Sequence, residues 1–128
     1  MWRDKFDPKS RQIRVRALLV GPHGSVYANC LFDTGAPVTI LSPAIVDQIG
    51  YSPRMGKHAT RLAAIGVQEG YNIDVERLET MGFTVAPCEV WCHDFDDGIG
   101  IDGLIGMDLM EGRVVHIDGV IGEISVGS

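Results

Sequence analysis

The sequence predicts one mostly β domain with one or two short helices. Three observations carry this. Apolar runs of strand length, several of them alternating with polar residues, recur along the chain. Sixteen glycines interrupt them, and few stretches space their apolar residues as a long helix would. A length of 128 residues with 45% hydrophobic and 22% charged residues fits a single globular domain able to bury a core.

In chain order, residues 1–12 are charged, carry Pro8, and are expected to form an N-terminal arm, leaving 13–128 as the domain. Ile13 to Val20 begins as alternation and ends fully apolar, Gly21-Pro22-His23-Gly24-Ser25 is turn chemistry, and Val26 to Phe32 returns as a second strand. This hairpin leads into Asp33. Val38 to Leu41 reads as a short strand. Ser42-Pro43 is a helix start, a capping oxygen followed by proline, and Ala44 to Ile49 has helical spacing before Gly50. Lys57 to Ala64 and Tyr71 to Leu78 are expected to be the arms of a long hairpin with its tip near Ile65 to Gly70. Phe83 to Cys92 reads as one strand in which Pro87 marks an edge or bulge. Leu104-Ile105-Gly106 is a buried return segment, Met107 to Glu111 a short helix, and Val114 to Val126 a closing pair of strands. The chain thus reads as a weak internal repeat: hairpin, apolar-Asp-Thr-Gly and helix, then hairpin, strand, apolar-apolar-Gly and helix, with the acid only in the first half.

A net charge of −6 repels phosphate backbones and disfavours nucleic acid as a partner. No apolar run is long enough to span a bilayer, and Met1 to Asp7 lacks the apolar core of a signal peptide. The expectation is a soluble cytoplasmic chain, or a soluble domain of a longer one. Three cysteines, Cys30, Cys88 and Cys92, do not suggest a secreted disulfide framework. Cys88, Cys92 and His93 offer zinc-type ligands, but strand spacing separates the two thiols and no second ligand pair follows, so core cysteines are expected and no metal site. Asp94, Asp96 and Asp97 lack the calcium-loop pattern and read as a solvated turn.

The stretch Leu31-Phe32-Asp33-Thr34-Gly35-Ala36-Pro37-Val38-Thr39-Ile40 is the chemical focus. Asp-Thr-Gly alone is compatible with an ordinary turn, but apolar residues flank it on both sides, whereas a surface turn usually has polar shoulders. Together with Leu104-Ile105-Gly106 and its short helix, it resembles the retropepsin-like, single-lobe aspartic proteases, the family that includes the retroviral proteases. The likeness runs roughly from Ile13 to Val126.

This resemblance implies a closed or partly closed β-barrel-like lobe and an aspartic endopeptidase that needs no cofactor. Asp33 would be catalytic. Thr34 would bond to a partner's loop, Gly35 would contact substrate and Ala36 would pack beneath. The long hairpin would be a flap whose backbone near Ile65, Gly66 and Val67 bonds to a peptide substrate. Hydrolysis of this type needs two carboxylates across one water, and the chain has one Asp-Thr-Gly. Asp102 is followed by glycine rather than by threonine or serine. A homodimer supplying Asp33 from each chain is therefore implied; the alternative is a catalytically weak or inactive peptide-binding or dimerisation module. Pro37-Val38 and Met107-Asp108 stand where retroviral proteases carry acidic residues and an arginine, which moves the likeness toward cellular and bacterial relatives.

Overall fold

The computed structural model describes residues 1–63, 66–94 and 100–128. Strand β1 (Trp2–Lys5) lies far from its sequence neighbours in the sheet plan, while β2 (Arg14–Gly21) and β3 (Gly24–Phe32) form the expected hairpin with Gly21 opposite Gly24. Alternation sets its faces: Val15, Ala17, Leu19, Ala28, Cys30 and Phe32 are buried, and Arg14 and Arg16 point to solvent. After β4 (Ile40–Leu41), helix α1 (Pro43–Asp47) starts as its sequence requires, with the Ser42 hydroxyl accepting from the Ile45 N–H and Ile45 and Val46 buried. The Ile49 carbonyl accepts from the His23 N–H, which anchors the helix end to the β2–β3 turn.

The second half contains β5 (Lys57–Ala63), β6 (Gly66–Val75), β7 (Arg77–Thr80), β8 (Phe83–Val85), β9 (Cys88–Cys92) and β10 (Gly103–Ile105). A 3-10 turn at Met107–Met110 follows, then β11 (Val114–Asp118) and β12 (Glu123–Gly127). Among the described residues these strands form two sheets, one of three in the order β1-β12-β11 and one of nine in the order β5-β6-β9-β4-β10-β3-β2-β7-β8. The larger curls into the half-barrel that the sequence resemblance implied. Among the described residues no helix is long and apolar enough to cross a membrane.

Several boundaries differ from the sequence reading. Ala63 pairs with Gly66, so Gly66 to Gly70, expected near the hairpin tip, belong to β6, while Ile65 lies outside the described residues. The alternating arm ends at Val75, and Arg77–Thr80 leaves as a separate strand to pair with β2. The single strand expected over 83–92 is two, since Pro87 has no N–H for a ladder: β8 pairs with β7 at a sheet edge, and β9 sits inside the sheet between β6 and β4. The charged N-terminal segment also holds a strand, because Trp2 and Phe6 pack against the core and Trp2–Lys5 pairs antiparallel with Glu123–Val126.

Cys30, Cys88 and Cys92 are free and buried in the core, as core cysteines should be. Burial pushes their thiols up, to about 12 for Cys30 and Cys88 and about 11 for Cys92, from an ordinary 9.0. A raised folded value means that the unfolded thiols ionise first as pH rises. Their contribution to stability is therefore full below pH 9.0 and declines through the interval up to about 12. Urea titrations on either side of that lower value check the decline. Thiols that react with a disulfide reagent in the folded protein at neutral pH contradict it.

Candidate active site

The loop after β3 is built around threading. The β10 strand runs between β3, to which it is parallel, and β4, to which it is antiparallel. Its last residue, Ile105, accepts from the Asp33 N–H at 3.0 Å, and Met107 N–H donates to the Ala36 carbonyl at 2.8 Å. Gly106 lies between these two contacts. A Cβ there would collide with the carbonyls of Ala36 and Val38, so the close approach requires glycine. Asp33 Oδ1 accepts from the Gly35 N–H at 2.8 Å, and the Asp33 carbonyl accepts from the Ala36 N–H at 3.2 Å. Ala36 is buried beneath the turn. Thr34 and Gly35 are exposed and Asp33 is half-buried, so the carboxylate and the threonine hydroxyl face outward from a rigid support.

A second layer holds the same two segments together. Thr39 is fully buried. Its hydroxyl donates to Asp108 Oδ1 at 2.8 Å and accepts from the Gly106 N–H at 3.1 Å, while its own N–H donates to Asp108 Oδ2 at 3.0 Å. Asp108 Oδ1 also accepts from the Leu109 N–H. Neither residue was singled out as a site residue in the sequence. The available signal was an acid just past a buried Gly106 and a hydroxyl inside an apolar run.

Register defines one face of the sheet beside Asp33. Leu31 pairs with Leu104, Leu104 with Ile40, Ile40 with Trp91, and Trp91 with Asn72, and directly paired residues share a face. Leu31, Leu104 and Ile40 are half-buried, giving an apolar floor open to a ligand. The β5–β6 hairpin continues this face and is gripped by β9. The Trp91 indole N–H donates to the Ala59 carbonyl at 3.2 Å. The His93 ring stacks on Trp91 at 4.8 Å, and its Nδ1 bonds to the Glu69 carbonyl at 2.7 Å. Gly70 lies against Trp91 and the Cys92 carbonyl, where a Cβ would collide.

Of the expected flap residues, Ile65 lies outside the described residues. Gly66 opens β6 and Val67 is exposed on the opposite face from Gln68 and Trp91. Asp102 accepts from the Asn29 N–H at 2.8 Å and holds β10 against β3, as its place before the return segment suggested. Among the described residues no group of three His, Cys, Asp or Glu is placed to hold a metal ion. Asp96 and Asp97 lie outside the described residues. A cavity of about 380 Å³ adjoins Asp33 and Thr34, walled by Arg11, Gln12, Ile13 and Leu31 and by Ile117 of β11. Beyond it, β11 is an open sheet edge among the described residues, and Val114, Ile117, Val120 and Ile121 of its hairpin are exposed.

Residues 20–109 match the family model for aspartyl proteases, and the chain belongs to that family. Its fold is that of a single retropepsin-like lobe. Among solved structures it is similar to a retropepsin-like aspartic protease from Rickettsia conorii, at 19% identity and a TM-score of 0.72 over 98% of this chain and 90% of that one. It is also similar to the EIAV protease complexed with the inhibitor HBY-793, at 17% identity and a TM-score of 0.63 over 83% of this chain and 91% of that one. No curated protein matches the sequence.

Replacing Thr39 with valine keeps its volume but removes the hydroxyl and strands the buried Gly106 N–H. The expected loss is about 1–3 kcal/mol of unfolding free energy. Thr39→Ser, which keeps the bonds, should lose less than Thr39→Val, and urea denaturation of the two variants decides the matter.

Proposed function

We propose that this protein is an aspartic endopeptidase that acts as a homodimer, with Asp33 of each chain activating one water. The observation that carries the reading is Asp33 itself, presented at an outward-facing turn whose backbone is pinned to Ile105 and whose Oδ1 is held by the Gly35 N–H. Family membership and the fold support it. One carboxylate would take a proton from the water while the other, protonated, donates to the peptide carbonyl.

The apolar row Leu31, Leu104 and Ile40 fits apolar side chains of an extended peptide, and the β5–β6 hairpin is the candidate flap over it. Its backbone at Gly66 and Val67 would bond to the peptide backbone, a mode that reads an extended shape. The cavity beside Asp33 and the exposed Ile117 are where the second copy belongs. A two-fold axis must pass next to Asp33 if two such carboxylates are to meet. Edge strand β11 carries neither lysine nor proline, the usual guards of an open edge. Strand β1, at the other edge, carries Arg3 and Lys5. Free buried thiols suit a reducing compartment such as the cytoplasm.

Asp33→Asn should cut peptide hydrolysis to below about a thousandth of wild type with fold and dimer intact. Cleavage of a mixed peptide library across acid to neutral pH reads this directly, and activity that survives the substitution would assign the chemistry elsewhere. Ile117→Lys puts a charge where the partner packs. It should weaken the dimer about tenfold or more, seen as a shift of the sedimentation profile to monomer and a matching loss of activity at low concentration. A variant that stays dimeric and active would place the interface on another surface.

A further inference from the structure

The face that runs from Asp33 across Leu31, Leu104 and Ile40 ends at Trp91, and there the chemistry changes from apolar to cationic. Arg61, in β5, pairs with Gln68 of β6. Alternation along β6 puts Gln68, Gly70 and Asn72 on one face, the face that Trp91 shares with Asn72. The Arg61 guanidinium lies over the Trp91 ring, 5.6 Å from its centroid. That contact orients the cation without using its hydrogen-bond donors. Arg61 Nε is buried and has no hydrogen-bond partner among the described residues, and Asn72 Oδ1 is in the same condition. Among the described residues, the ion pairs found involve other cations.

A buried donor and a buried acceptor left unpaired on one face cost free energy in the free protein. A ligand that offers an acceptor to one and a donor to the other recovers it. An acidic residue of an extended peptide does so, with its carboxylate on the guanidinium and a backbone N–H on Asn72 Oδ1. A planar guanidinium held on an aromatic ring suits a carboxylate well.

From this we infer that Arg61 is a specificity-determining residue that recognises a carboxylate of the bound peptide on the floor set by Trp91 and Asn72; the inference rests on the protease reading of Asp33. Three strand steps separate Leu31 from Trp91, about 14 Å in a flat sheet and less in a curled one. At about 3.3 Å per extended residue, the acidic side chain sits about two to four positions from the scissile bond. Dimer symmetry provides one such subsite on each side of the bond.

The test uses peptides with an apolar centre that carry Glu, Gln or Ala at each of those positions. Each peptide is assayed for cleavage by wild type and, separately, for binding to Asp33→Asn, which keeps the cleft without needing turnover. Glu should be favoured over Gln at one position by about five- to tenfold in both assays. The preference should vanish when Arg61→Gln is introduced into each protein, with Ala peptides little affected, and Arg61→Lys should retain part of it. Equal handling of Glu and Gln, a uniform loss for all peptides in Arg61→Gln, or no binding of any peptide would each overturn the inference. Glu-selective binding without wild-type cleavage would support the subsite while removing the protease reading.

Discussion

The structure depends on the passage of Ile105-Gly106 between the Asp33 loop and β4. Asp33 N–H bonds to Ile105, Met107 N–H bonds to Ala36, and the Thr39 hydroxyl bridges Gly106 to Asp108. Each bond satisfies a backbone group or a buried side chain that would otherwise be stranded in the core. Together they fix the turn that bears Asp33, and among the described residues the Asp33 carboxylate bonds only to the Gly35 N–H. The acid is left available because other groups hold its support. Asp108 braces this arrangement through the Thr39 N–H and hydroxyl.

On the proposed reading, one such lobe supplies half of a site. The chain has a single Asp-Thr-Gly, and Asp102, the other acid near the return segment, is committed to Asn29. Leu31 of the apolar floor and Ile117 of β11 line the cavity beside that one carboxylate, and the hairpin gripped by Trp91 and His93 continues the floor away from it. The apolar exposure of Ile117, Val120 and Ile121 marks the surface that the proposed second copy would cover.

Local signals were legible in the sequence, and non-local ones were not. Ser42-Pro43 announced the helix because capping is chemistry between near neighbours. The β2–β3 hairpin and the buried return segment could be read because alternation and apolar runs report burial directly. The expected tip reached too far along the chain because Gly70 looks like a turn residue, yet it is glycine to admit Trp91 and the Cys92 carbonyl from another strand. The split at Pro87 could not be seen as two strands, because only the sheet order shows that β8 and β9 serve distant positions. Strand β1 was hidden by its charges, of which Arg3 and Lys5 meet Glu123 across the sheet. Arg61 carried no local mark at all. Its meaning comes from a chain of strand pairings that ends at Trp91.

The central claim is that each chain contributes half of one catalytic centre, and the stoichiometry of a transition-state inhibitor tests it most directly. Calorimetric titration with a statine-type peptide, whose hydroxyl takes the place of the attacking water, should saturate at one inhibitor per two chains. Sedimentation of the complex should show a dimer. Saturation at one inhibitor per chain on a monomer would contradict the account, since it would mean that one lobe assembles a complete site.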